Sequence, residues 1–181
     1  MSDRQTELLE LLDRSGAGLY ALLTRLTLRE DVAEELMQDL FLKLNDTKGR
    51  SGIDCWHAYA RRMAINLAFD WRRRQKVRRA CALDELPERA SDTGEPLGKL
   101  IASEELEQVL AAVDRLAGTS REAFVMRYIQ QDSYEEIAGQ LGKTVHQVRA
   151  LCFRAMSTLR NVLGGVRVSA TGKGVRHVED K

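Results

Sequence analysis

The chain has 181 residues, 44% of them hydrophobic and 30% charged, with a formal net charge of +1. That composition supplies apolar side chains for packed cores and excludes a disordered chain. No apolar run approaches the roughly 18 to 20 residues that cross a bilayer. Met1 to Leu12 is charged throughout, unlike a secretory leader, so a cytoplasmic protein without membrane insertion is expected.

Residue usage narrows the class further. Two prolines and scarce Val/Ile/Thr alternation predict an all-α fold. Cys55, Cys81 and Cys152 are odd in number and scattered, which suits a reduced compartment and not a disulfide framework. Cys55 and His57 resemble half of a metal site, but no second Cys/His pair accompanies them, so neither metal nor cofactor is expected. His57, His146 and His177 are the only histidines, and they supply a nucleophile–base–orienter set poorly. No enzyme is expected.

Charge is arranged in blocks. Residues 1–49 carry ten acidic and six basic side chains, and residues 50–80 carry two and nine. Residues 81–107 swing to eight acidic and two basic, and residues 108–181 return to seven and eleven. Two positive blocks flanking an acidic connector suggest two nucleic-acid contacts on one chain.

In chain order, Thr27-x-x-Glu30 has the form of a capping box opening a helix from about Asp31 to Leu44. Val32, Leu36 and Leu40 with Ala33, Met37, Phe41 and Leu44 give it one apolar face. Glu34, Glu35, Gln38 and Asp39 make the other face acidic, either solvated or a docking surface for a basic partner. A polar loop from Asn45 to Gly52 leads to a long helix from about Asp54 to Arg79. Its apolar stripe runs Trp56, Tyr59/Ala60, Met63, Leu67 and Trp71. The remaining face offers Arg61, Arg62, Asn66, Phe69 and Arg72 to Arg74. Guanidinium groups hold phosphates, Asn reads a base edge and aromatics stack on bases, so this face fits a DNA strand.

Residues 81–103 read as an acidic flexible linker, holding both prolines and Ser91-Asp92-Thr93-Gly94. It separates an amino-terminal domain, 1–80, from a second helical domain, 104–163. The tail, 164–181, is either disordered or a regulatory contact.

The second domain contains the most specific pattern, Ser133 to Arg160. Ser133-x-x-Glu136 and Thr144-x-x-Gln147 are capping boxes, and Gly142 stands at the turn between two helices. Ile137, Ala138 and Leu141 face Val148, Leu151, Cys152 and Ala155, with Ala138 small enough for a close crossing. This is the pattern of a helix-turn-helix, whose second helix enters a DNA major groove.

Taken together, Asp31-Val-Ala-Glu-Glu-Leu-Met-Gln38-Asp-Leu-Phe41, the run Trp56 to Asn66-Leu-Ala-Phe-Asp70-Trp-Arg72-Arg73, and Leu116, Arg121-Glu-Ala-Phe124, Arg127-Tyr128 and Tyr134-Glu-Glu-Ile-Ala138 through Arg154-Ala155 form a familiar order. Over about residues 15–163 the chain resembles a bacterial RNA polymerase sigma factor of the small, two-domain extracytoplasmic-function group. The resemblance implies a sigma factor that binds core RNA polymerase, directs it to promoter DNA and helps melt that DNA. It implies core-polymerase binding by Asp31, Glu34, Glu35, Gln38 and Asp39. It implies contacts to the −10 element by Asn45, Lys48, Arg50, Arg62, Asn66, Asp70, Arg72 and Arg73. The −35 element falls to Thr144, His146, Gln147, Arg149, Ala150 and Arg154. It also implies an anti-sigma factor as a partner, and a linker that threads the polymerase near the nascent RNA.

Departures from the family pattern are Leu116-Ala117 for the usual Leu-Pro, and Ile65 where an Arg is common. Val148-Arg149-Ala150-Leu151-Cys152-Phe153 replaces a more polar run. These put promoter specificity, not membership, in doubt. The alternative is a stand-alone helix-turn-helix transcriptional regulator, which has no use for a strand-gripping helix.

Overall fold

The computed structural model describes residues 3–46, 55–83 and 97–171. Among the described residues the regular structure is entirely helical: α1 (Asp3–Thr27), α2 (Glu30–Asp46), α3 (Trp56–Leu83), α4 (Leu97–Asp114), α5 (Gly118–Phe124), α6 (Tyr134–Leu141) and α7 (Val145–Thr171). α5 runs on as a single π-helical turn over Val125–Ile129, closed by Gln130 N–H donating to the Val125 carbonyl at 3.0 Å.

The amino-terminal helices pack because each carries a 3.6-residue apolar stripe. Leu19, Leu22, Leu23 and Leu26 of α1 meet Val32, Leu36, Leu40 and Leu44 of α2. α3 contributes Ala60, Ala64 and Ala68 with Ile65 and Phe69, all fully buried. Three small residues on one face let the helices approach closely, while the Phe69 ring fills the space between. In the carboxy-terminal module, Leu110 and Val113 of α4 and Ala123 to Met126 pack around Ile137, Ala138, Val148, Cys152, Ala155 and Leu159.

Local chemistry writes the helix-turn-helix. Ser133 caps α6 by accepting from Glu136 N–H at 3.2 Å, and the Glu136 carboxylate accepts from Ser133 N–H at 2.8 Å. Gly142 closes α6 at φ 60° and ψ 40°, a conformation that a Cβ disfavours. Lys143 N–H then reaches the Ala138 carbonyl at 3.0 Å, the six-residue closure of a Schellman turn. Thr144 and Gln147 exchange the reciprocal bonds of the second box at 3.0 and 3.2 Å, opening α7.

Several elements differ from expectation. α1 lies where the sequence analysis places no element. Thr27 does not open α2: it ends α1, its hydroxyl donating to Leu23 O and accepting from Arg29 N–H, while Leu28 turns the chain at φ 61°. Phe69 is core rather than part of the arginine face: it is fully buried one turn on from the equally buried Ile65, with the Arg121 guanidinium over its ring. α3 extends to Leu83 and α4 begins at Leu97, so the span read as linker is helical at both ends; residues 84–96 lie outside the described residues. The α7 backbone stays helical to Thr171, inside the expected tail, and residues 172–181 lie outside the described residues.

The bonds from Ser133 hold the Glu136 carboxyl below its ordinary value of 4.5. A depressed carboxyl stabilises the fold above its unfolded pKa and stops doing so as pH falls through the folded value. Glu136→Gln should therefore lower the thermal midpoint relative to wild type near pH 7, and the gap should close near pH 3. Melting curves across about pH 3–7 check this.

Candidate nucleic-acid interface

α2 presents Asp31, Glu34, Glu35, Gln38 and Asp39 on its exposed face. Asp31 is held by the Arg29 guanidinium, whose hydrogen bond keeps that carboxyl below its usual range. Glu35 and Asp39 line a cleft of about 180 Å³ with Trp71, Arg74 and Arg78 of α3. This face is thus acidic with a basic wall, and the 61%-exposed Leu42 stands one turn beyond it.

On the other side of α3, Lys43, Tyr59, Arg62, Met63, Asn66, Leu67 and Asp70 line an open cleft of about 340 Å³. It is mixed in character: two cations and an amide at the rim, Met63 and Leu67 at the wall. Such a cleft offers an unstacked base an apolar floor and hydrogen-bonding edges. Of the residues assigned to the −10 element, Arg62, Asn66 and Asp70 meet there. Arg73 lines a neighbouring cleft with Asp39, Lys43 and Asp70. Asn45 is exposed near the end of α2, while Lys48 and Arg50 lie outside the described residues. Arg72 is elsewhere. Its side chain is only 9% exposed, bonded to the Leu26 carbonyl at 3.2 Å and to Glu107 at 2.5 Å, so it clamps the end of α1 to α4.

The arginine face of α3 meets the carboxy-terminal module. Arg61 donates to Asp132 at 2.5 Å and to Gln140 at 3.0 Å. Arg62 donates to Glu122 at 3.0 Å, and Arg73 to Asp114 at 2.5 Å and also to Asp70. From the opposite side, Arg121 donates to Asn66 Oδ1 at 3.2 Å and lies 5.0 Å from the Phe69 ring centroid. Burial pushes the Asp132 carboxyl up against the pull of Arg61, and burial lowers His57 beside them. The cations are legible in the sequence but these partners are not, since they stand 41 to 71 residues away in the Arg61–Asp132, Arg62–Glu122 and Arg73–Asp114 pairs.

The recognition face lies on α7. Val148, Cys152, Ala155 and Leu159 point inward; Cys152 donates its thiol to the Ala123 carbonyl, and burial pushes that thiol's pKa up. His146, Gln147, Arg149, Phe153 and Arg154 point outward, with Ala150 half-buried among them. Thr144 and the Gln147 side chain are committed to the cap. Arg149 lies 5.3 Å from the Tyr134 ring centroid, a ring that also carries Arg127 at 4.6 Å. Arg154 folds back onto the Ala150 carbonyl at 3.3 Å. The residue absent from the predicted contact set is Phe153, 74% exposed at the centre of this face. Its one sequence signal is that it falls outside the inward run Val148, Cys152, Ala155 and Leu159 in the helical period. From Lys143 to Val178 the chain has no Asp or Glu, so the face is uniformly cationic in its charged groups.

Among the described residues no group of His, Cys, Asp and Glu is placed to hold a metal ion, and no helix is long and apolar enough to cross a membrane. Cys55 and Cys81 are exposed and unpaired.

This geometry defines an all-α protein in which a helix-turn-helix module sits against a helical module bearing a basic face. Residues 106–159 match the family model for sigma-70 region 4, which covers the helix-turn-helix. Two relatives extend the likeness over the amino-terminal module. The extracytoplasmic-function (ECF) RNA polymerase sigma factor SigX of Bacillus subtilis (strain 168) is 24% identical over 158 residues, 83% of this chain and 80% of that protein. The ECF sigma factor SigE of Mycolicibacterium smegmatis is 27% identical over 155 residues, 85% of this chain but 60% of that longer protein. The structure of CnrH in complex with the cytosolic domain of CnrY shares the fold, with a TM-score of 0.51 and 22% identity over 91% of this chain and 92% of that one. The chain is thus similar to extracytoplasmic-function sigma factors over most of its length, and its helix-turn-helix module matches sigma-70 region 4.

Arg121 joins the two modules and is nearly buried. Removing it takes the donor from the Asn66 side-chain carbonyl, leaves Asp114 with Arg73 as its remaining guanidinium partner and uncovers the Phe69 ring. Arg121→Ala should cost on the order of 3 kcal/mol. Arg121→Lys should recover only part, because an ammonium cannot reproduce the planar fork over the ring. Urea unfolding of both variants tests this.

Proposed function

We propose that this chain is a promoter-specificity subunit: it binds core RNA polymerase, positions it at a −35 and a −10 element, and helps hold the melted strand. The observation that carries the reading is the pairing, on one chain, of a helix-turn-helix whose second helix is exposed and basic with a separate arginine-lined cleft on α3. α7 offers the cationic, acid-free surface that a duplex requires. The Arg62–Asn66–Asp70 cleft on α3 offers what a duplex does not need and an unpaired base does. Core polymerase would dock on the α2 face of Glu34, Glu35, Gln38 and Asp39, with Leu42 as an apolar anchor. A regulatory partner protein, as CnrH has in the cytosolic domain of CnrY, completes the reading.

Promoter recognition would differ between the two faces. Arg149, held over Tyr134, is placed to meet one base edge, and its loss should relax preference at one −35 position. Phe153 supplies an apolar surface that fits a thymine methyl group. Arg73 should act on phosphates.

Run-off transcription with core polymerase over a panel of genomic promoters tests the whole reading. Discrete new start sites that depend on this protein are expected. Failure to bind core polymerase, together with tight specific duplex binding by the isolated chain, would instead establish a stand-alone regulator.

On a promoter so found, thymine-to-uracil replacement along the −35 element should weaken binding at one or two positions. Burial of one methyl is worth about 0.8 kcal/mol, roughly a fourfold change in affinity. That sensitivity should vanish in Phe153→Ala and persist in Arg73→Ala, which should instead flatten the salt dependence by about one charge.

A further inference from the structure

A cleft of about 230 Å³ opens between the second half of α3 and the end of α4. Five basic side chains line it, Arg72, Arg73, Lys76, Arg79 and Arg115, against two carboxylates, Glu107 and Asp114. Both carboxylates are already taken: Glu107 by Arg72 at 2.5 Å, and Asp114 by Arg73 at 2.5 Å and Arg121 at 3.3 Å. Lys76 and Arg79 of α3 and Arg115 of α4 therefore line one concavity with no carboxylate partner among the described residues. The other clefts along α3 differ, since their cations outnumber their carboxylates by one at most.

We propose that this cleft binds a compact polyphosphate anion, either free or as the phosphate chain of a nucleotide. Like charges gathered in one hollow repel, and the sequence offers no local relief. From Trp71 to Leu83 the chain holds no Asp or Glu, so no acid one turn away offsets Lys76 or Arg79. An anion between the walls converts that repulsion into charge-assisted hydrogen bonds from both helices. Lys76 and Arg79 stand three residues apart on one face, a rise of roughly 4.5 Å, so adjoining phosphoryl groups can meet both.

Charge density selects the ligand class. A single phosphate brings about two negative charges, fewer than the excess of three. A nucleic-acid strand carries one charge per nucleotide and spreads them along its length. A polyphosphate concentrates three or more in adjoining groups. The half-buried Trp71 forms an aromatic wall of the same cleft, on which an attached base can stack. Because Arg115 belongs to α4 and the other two cations to α3, the ligand ties the two helices together and stabilises the folded chain by mass action. The site does not depend on the DNA-binding role of either module.

The test is calorimetric titration of the full chain with sodium tripolyphosphate, at fixed ionic strength and without divalent cations. One site is expected, and the ligand should raise the thermal midpoint. Lys76→Gln, Arg79→Gln and Arg115→Gln combined should weaken binding roughly tenfold or more. A control removing equal charge from exposed positions outside the cleft, Arg14→Gln, Lys143→Gln and Arg160→Gln, should lose less than about twofold. Arg115→Gln alone should cost roughly threefold, which keeps the test readable if the triple variant does not fold. ATP separates the two sources. Tighter binding than tripolyphosphate, with quenching of Trp71 fluorescence in a Trp56→Phe chain, marks a nucleotide site; equal affinity without quenching marks a site for the phosphate chain alone. No binding at about 1 mM tripolyphosphate, or equal losses in the triple variant and the control, would overturn the proposal. So would a mixed-sequence strand of about 15 nucleotides that binds more tightly than tripolyphosphate with the same dependence on the three cations, since the cleft would then hold a nucleic-acid backbone.

Discussion

A guanidinium drawn out of water must find an anion or a carbonyl, and that requirement organises this molecule around α3. Ala60, Ala64 and Ala68 give that helix a narrow apolar face, and α1 and α2 sit tightly against it. Arginines occupy much of the remaining circumference, Arg61 and Arg72 half-buried and Arg62, Arg73, Arg74, Arg78 and Arg79 exposed. They meet different surroundings. Arg72 takes the carbonyl at the end of α1 and a carboxylate of α4; Arg74 and Arg78 line a cleft with acids of α2; Arg61, Arg62 and Arg73 take carboxylates of the carboxy-terminal module. The same residue type is a clamp between helices, a wall of a cleft and a bond between modules, according to where the helix turn points it.

Sequence reasoning succeeded where the cause is local. The two capping boxes, Gly142 and the apolar spacing of α6 and α7 involve atoms within six residues of one another, and the structure forms all of them. Thr27 shows the limit of the same logic: its pattern matches a box, but the hydroxyl has a closer acceptor in Leu23 O, one turn back inside α1. Phe69 was assigned to the wrong side because α3 lacks a clean hydrophobic stripe. Alanines fill most of its inward face, and alanine carries little periodic signal.

The pairing of the modules was illegible for a different reason. The stretch 81–107 carries the largest excess of acidic side chains after the basic block 50–80. Glu107 is the single member of that stretch bonded to α3 among the described residues. The other partners belong to residues 108–181, a block whose net charge is positive. Net charge conceals them because the cations of that block lie mainly on α7 and its tail, while its carboxylates gather at α4, α5 and the turn before α6. A sum over sequence cannot register such a division; folding makes it.

That division gives the carboxy-terminal module two electrostatic characters. Toward α3 it presents carboxylates; along α7 its charged side chains are basic. The two faces lie on different sides of one small module, so His146, Arg149 and Phe153 of α7 stay exposed while Asp114, Glu122 and Asp132 are bonded to α3. None of those three ion pairs is fully buried on both sides, so desolvation offsets much of the attraction, and the fit between the modules rests on the geometry of few bonds more than on net charge.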